Sequence, residues 1–137
     1  MIIREILNKD IETILELNEK SVNVLSPMDK SKLLRLIEVS ALSVVIEQEN
    51  EVAGFLLAFT NGAIYESINY QWFNNNYTAF LYIDRIVISK KHRGEGIGTA
   101  LYKYVIDWAA KNSSARIFAE IDVLPPNRPS LLFHQKL

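Results

Sequence analysis

From Arg93 to Gly98 the chain reads Arg-Gly-Glu-Gly-Ile-Gly, with Lys90, Lys91 and His92 directly before it. Alternating glycines beside a run of cationic side chains suit one kind of chemistry, the binding of an anion that carries more than one phosphate. Where a strand stops and a helix starts, the first backbone N–H groups lack intrahelical acceptors and the helix dipole is positive. Such a corner is an anion site, and glycine lets the ligand approach the backbone closely. The glycines fall at 94, 96 and 98, which matches neither the dinucleotide pattern Gly-x-Gly-x-x-Gly nor the P-loop Gly-x-x-x-x-Gly-Lys-Ser/Thr. That spacing argues against NAD and against ATP. A plain reading also exists, in which the corner is only a tight turn beside a solvated basic face.

Two carboxylates stand in otherwise apolar stretches: Asp84 in "FLYIDRIVIS" and Glu120 in "RIFAEIDV". An ionised carboxylate there costs free energy unless it is paired or hydrogen-bonded. Each is therefore a general base or a structural group satisfied by backbone or an arginine. Strand alternation turns Arg85 to the opposite face from Asp84, so adjacency does not make them partners. The chain has no cysteine, which removes disulfides, thiolate metal sites and a thiol nucleophile together. No metal is expected.

With 137 residues, the chain should form one domain, 1–137, around one core. The formal net charge is −1 and the pI near 6.1, so bulk electrostatics call for neither nucleic acid nor an anionic membrane as partner. The start shows no signal peptide and no apolar run is long enough for a membrane span, so a cytoplasmic location is expected.

"MIIREIL" suggests a short strand and Asn8 a cap for a helix carrying Ile11, Ile14 and Leu15 on one face. A second helix follows Pro27, with Leu33, Leu34 and Ile37 as its apolar face. "LSVVIE" and "EVAGFLLAFT", separated by "QEN", predict a hairpin, with Gly54 marking a bulge or a tight contact. Residues 61–78 read as an irregular loop with one helical turn at most. "FLYIDRIVIS" predicts a strand, then a long helix burying Ile97, Leu101, Tyr104, Val105 and Trp108, then a strand at "RIFAEIDV". Asn127 is placed to cap a last helix from about Arg128 onward. This order joins an antiparallel front to a parallel βαβ unit, giving an α/β (α+β) fold with a mixed, mostly antiparallel sheet flanked by helices.

At Arg93–Gly98 the sequence resembles the GNAT acetyltransferases, whose signature is Arg/Gln-x-x-Gly-x-Gly/Ala after the fourth strand. "NRPSLLFHQKL" is similar to that family's later Asn-x-x-Ser/Ala-x-x-Phe/Leu-Tyr-x-Lys-Leu, and the element order agrees. The aromatic loop before a "DRIV" strand is also similar to a bacterial branch of predicted acetyltransferases. The resemblance implies acetyl-coenzyme A as co-substrate. Backbone across Arg93, Gly94, Glu95, Gly96, Ile97 and Gly98 would bind the pyrophosphate, and strand backbone at Ile86, Val87 and Ile88 the pantetheine arm. Asn127 and Ser130 would contact the coenzyme from the last helix, or only cap it. Tyr65, Tyr70, Trp72, Phe73 and Tyr77 lie where the family has acceptor-side structure; they wall a pocket or form a satellite cluster.

The implied reaction is acetyl transfer to a primary amine of a small molecule or peptide, by direct attack in a ternary complex. Asp84 or Glu120 would serve as base. His134 stands where the family often has an acidic tyrosine, and an imidazole can donate a proton near neutral pH. Tyr82 and Tyr102 are expected in the core. Family members continue beyond "KL" with closing strands, so either the chain is truncated or a neighbouring subunit supplies the missing wall. The fifth strand would otherwise have an unprotected edge, and reduced stability or self-association, as in a homodimer, is expected. Two alternatives stay open: a coenzyme A binding module without turnover, and a structural protein whose corner is only a turn.

Overall fold

The structure, a computed structural model, describes residues 1–21, 27–121 and 131–136, with side chains within 1–21 and 27–119. The elements are β1 (Ile2–Glu5), α1 (Ile11–Lys20), α2 (Lys30–Val39), β2 (Leu42–Gln48), β3 (Glu51–Thr60), α3 (Ile68–Asn76), β4 (Phe80–Ile88), α4 (Ile97–Lys111), β5 (Arg116–Ile121) and β6 (Leu131–Lys136). One six-stranded sheet runs in the order β1-β2-β3-β4-β5-β6. Only β4 and β5 pair in parallel; every other neighbouring pair is antiparallel. The expected mixed, mostly antiparallel sheet flanked by helices is what forms.

Two cores sit on the two faces of this sheet. Ile14, Leu33, Leu36, Phe55, Leu57, Phe59, Tyr70 and Phe80 pack α1, α2 and α3 on one face. Val44, Ile46, Leu56, Leu81, Ile83, Leu101 and Val105 pack α4 on the other. The β2–β3 hairpin forms as expected, because Glu49 and Asn50 both take positive φ, 54° and 64°, between the paired Gln48 and Glu51. A two-residue turn of that kind matches the twist of the strands it joins. Gly54 answers both of its expectations: a Cβ there would meet the Val87 carbonyl oxygen at 2.6 Å, and the β2–β3 register shifts beside it.

Local chemistry corrects four helical expectations. Asn8 opens a short 3-10 turn and caps nothing; Asp10 accepts the Leu7 N–H at 2.7 Å, and α1 begins at Ile11. In α2, Asp29 caps through the Lys32 N–H at 2.8 Å, and the buried face is Leu33 and Leu36, leaving Leu34 exposed. The supposed irregular loop contains α3, nine residues long, whose start is capped by Ser67 accepting the Tyr70 N–H. Leu131–Lys136 is strand β6, not a helix: a short apolar run fits either element, and here it pairs with β5 along all six residues, from Arg116↔Lys136 to Ile121↔Leu131. That pairing covers the β5 edge, which removes the ground for expecting self-association through it. Among the described residues, no helix is long and apolar enough to cross a membrane.

Candidate active site

The site lies where β5 leaves β4. Their parallel register runs from Phe80↔Arg116 to Ile83↔Ala119, while β4 continues on β3 as far as Ile88. At the point of separation β4 carries an extra residue. Leu57 pairs with Arg85 and Ala58 with Ile83, so Asp84 has no opposite number on β3. This bulge reverses the alternation. Before it, Leu81 and Ile83 face α4; after it, Ile86 and Ile88 do, while Val87 is buried on the α1 side.

The bulge overturns one expectation. Arg85 Nε donates to Asp84 Oδ2 at 2.9 Å, and Arg85 Nη1 to Asn18 Oδ1 of α1 at 2.8 Å. Adjacent residues become partners because the bulge breaks the alternation that would separate them. Tyr65 donates its phenol to Asp84 Oδ1 at 2.7 Å. Burial first, and then the charge and hydrogen bond of Asp84, push the Tyr65 phenol up from its ordinary value, so it stays a proton donor at neutral pH.

On the α4 side is a groove of about 540 Å³ lined by Ile86, Ile88, Arg93, Gly96, Gly98 and Tyr102, among others. Its head is the glycine corner. Gly94 and Gly96 take φ of +85° and +81°, left-handed conformations that glycine adopts without a Cβ penalty. Gly96 is the N-cap of α4. Gly98 sits so close to β4 that a Cβ would lie 3.0 Å from Ile88 Cδ1, which seats the helix start on the strand. Among the described residues, the N–H groups of Gly94, Gly96, Ile97, Gly98 and Thr99 donate to no backbone carbonyl, whereas Arg93 and Glu95 donate to Lys90 and His92 within the turn. The unused donors are concentrated at the first turn of α4, the arrangement that binds phosphate.

The basic run behaves differently from expectation. Lys91 Nζ and His92 Nε2 both bond Glu51 Oε1, at 2.9 and 2.6 Å, and His92 Nδ1 lies 2.9 Å from Glu95 Oε1. These bonds tie the loop to the start of β3. Arg93 is exposed and lines the groove. Tyr102, expected in the core, is half-buried on the groove wall, one helical turn after Gly98; that i, i+4 spacing was the signal for it.

The aromatic residues divide by packing. Tyr70 is fully buried, donating to the Thr60 carbonyl at 2.6 Å, and Phe73 stacks on Phe118 with centroids 4.5 Å apart. Tyr65 stacks on Phe59 at 4.4 Å with its hydroxyl on Asp84. Tyr77 lies against Phe118 and under the Arg116 guanidinium, and Trp72 is half exposed. Glu120 follows Ala119, the last β5 residue paired with β4, and His134 pairs in register with Phe118. The three proposed proton-transfer residues thus fall on the adjacent strands β4, β5 and β6. Asn127 and Ser130 lie outside the described residues.

The acetyltransferase (GNAT) family model matches residues 8–137. No curated protein sequence matches the chain. Among solved structures, a ribosomal-protein-alanine N-acetyltransferase from Brucella melitensis aligns at a TM-score of 0.73 and 16% identity, covering 100% of both chains. An N-acetyltransferase from Staphylococcus aureus Mu50 aligns at 0.69 and 18% identity, over 91% of this chain and 75% of that one. An aminoglycoside 6'-N-acetyltransferase complexed with coenzyme A aligns at 0.68 and 17% identity, over 92% of this chain and 64% of that one. At such identities the likeness is one of fold.

Proposed function

The chain belongs to the acetyltransferase (GNAT) family, and from that premise we propose that it transfers an acetyl group from acetyl-coenzyme A to a primary amine of a small molecule or peptide. One observation carries the reading: the unused N–H groups at the first turn of α4 head a groove that runs along β4 at Ile86 and Ile88, past the last residue paired with β5. A pyrophosphate suits the N–H groups, and an extended pantetheine arm suits a strand that has lost its neighbour. Arg93 adds a cation at the mouth.

The proposed chemistry is direct transfer. An amine with a pKa of about 10.4 is only about one part in 2,500 neutral at pH 7, so the reaction needs a base. Asp84 is the first candidate: its carboxylate is held by Tyr65 and Arg85 at the bulge where the strands part. Glu120, on β5 beside that point, is the alternative. The amine nitrogen bonds to the thioester carbon, its proton goes to the carboxylate, and the carbon–sulfur bond breaks with a proton delivered to the thiolate. His134 is the candidate donor of that proton. Tyr65, Trp72 and Tyr77 are proposed to flank the acceptor.

The test pairs calorimetry with a thiol-release assay across a panel of amines. Heat on adding acetyl-coenzyme A, with thiol release dependent on one class of amine, supports the proposal. Absence of heat at millimolar coenzyme would overturn the coenzyme site, whereas binding with no thiol release from any amine would favour a binding module without turnover.

A further inference from the structure

His92 is buried, 2% exposed, behind the glycine corner, and both of its ring nitrogens face carboxylate oxygens: Nε2 lies 2.6 Å from Glu51 Oε1 and Nδ1 2.9 Å from Glu95 Oε1. A neutral imidazole has one N–H and one lone pair, so in this setting one nitrogen would press its lone pair against an ionised carboxylate. The imidazolium, with two N–H donors, satisfies both contacts. We infer that His92 is held as an imidazolium between Glu51 and Glu95 and positions the phosphate-binding turn, so that loss of its proton weakens coenzyme binding. The inference rests on the coenzyme reading of the groove.

The clamp spans three parts of the fold. Glu51 begins β3, His92 ends the short 3-10 turn after β4, and Glu95 directly precedes the N-cap of α4. His92 itself lines the groove beside Arg93, Gly94 and Gly96. The charged groups around it are Glu51 from β3, Glu95 and Arg93 from the turn, and Lys91, whose ammonium is bonded to Glu51. Glu49, in the β2–β3 turn, acts on Lys91. The α4 and β4 residues lining the groove, Ile97, Gly98, Thr99, Tyr102, Ile86 and Ile88, carry no charge. Without the His92 proton, two carboxylates would border an anion site with one cation fewer between them, and the turn would lose a bond to β3 or to its own Glu95. Both changes oppose a bound pyrophosphate. The hydrogen bonds to Glu95 and Glu51 raise the His92 ring above its ordinary 6.5, the direction that favours the imidazolium.

The test is coenzyme A binding by calorimetry, for the wild type and His92→Gln, at about pH 6.5 and about pH 9. Changes in the coenzyme's own phosphates act on both proteins equally. The wild type should lose roughly tenfold more affinity than the variant over that interval. A ¹⁵N titration of the wild-type imidazole should show both ring nitrogens protonated at neutral pH, which holds whether or not the variant folds. Equal pH dependence in the two proteins, or a ring that titrates at or below 6.5, overturns the inference while leaving the coenzyme reading intact. No binding by the wild type at either pH overturns the coenzyme reading and the inference with it.

Discussion

Tyr65 and Asp84, 19 residues apart, meet through a 2.7 Å hydrogen bond at the residue that the β4 bulge leaves without a partner on β3. The phenol approaches from the segment before α3 and is stacked on Phe59 of β3. The carboxylate is thereby fixed between Tyr65 and Arg85, and through Arg85 to Asn18 of α1. A carboxylate held in one orientation in this way has little rotamer freedom left to lose, which suits the role of base proposed for it.

If Asp84 is the base, Asp84→Asn should leave coenzyme binding close to wild type and reduce kcat by about 10²–10⁴-fold. Tyr65→Phe removes the orienting donor but not the carboxylate, so its loss in kcat should be smaller, about tenfold. Steady-state kinetics beside calorimetry checks the order. An Asp84→Asn enzyme with near wild-type turnover would transfer the role to Glu120.

Gly96→Val should abolish coenzyme binding. Its φ of +81° is strained for a β-branched residue, so the turn that presents the N–H groups proposed to hold the pyrophosphate could not keep its backbone conformation. Calorimetry on a variant that retains a wild-type circular dichroism spectrum checks this, and unchanged affinity would refute the phosphate assignment.

Gly54→Ala tests packing apart from function. Its Cβ would stand 2.6 Å from the Val87 carbonyl oxygen, a backbone atom that moves only with β4. Overpacking of this kind costs about 1–3 kcal/mol, to be read as a lowered urea midpoint. A stable variant would mean that β3 and β4 can separate locally without loss.

The glycine corner was legible in the sequence because its requirement is local: positive φ at 94 and 96 favours glycine, and close packing against Ile88 favours a small residue at 98. The β2–β3 turn was legible for a similar reason, since asparagine tolerates positive φ. What escaped depends on residues distant in the chain. The Asp84–Arg85 pair follows from a bulge that only pairing with β3 reveals. The partner of His92 on β3 lies 41 residues earlier. α3 was hidden by its composition, because a polar, aromatic stretch with three asparagines has low helical propensity, and burial of Tyr70 and Phe73 supplies what propensity lacks.

Acid sensitivity should be set in part by Asp10. Its carboxylate takes both Arg4 Nη1 and Nη2, at 2.7 and 2.9 Å, and the Leu7 N–H, while Arg4 also bonds Glu47 of β2. These contacts join β1, the start of α1 and β2. The Arg4 hydrogen bond, more than any other contact, lowers the Asp10 carboxyl below its ordinary 3.8. A group lowered on folding contributes stability in full above its unfolded value and loses it as pH falls through its folded value. Urea midpoints of the wild type should therefore decline below pH 3.8 more steeply than those of Asp10→Asn. At neutral pH the variant should be less stable by about 1–3 kcal/mol, having left Arg4 with a weaker acceptor. Parallel curves for the two proteins would show that the Arg4–Asp10 pair contributes nothing to acid unfolding, and would shift attention to Glu51, whose carboxyl is lowered by Lys91 and His92.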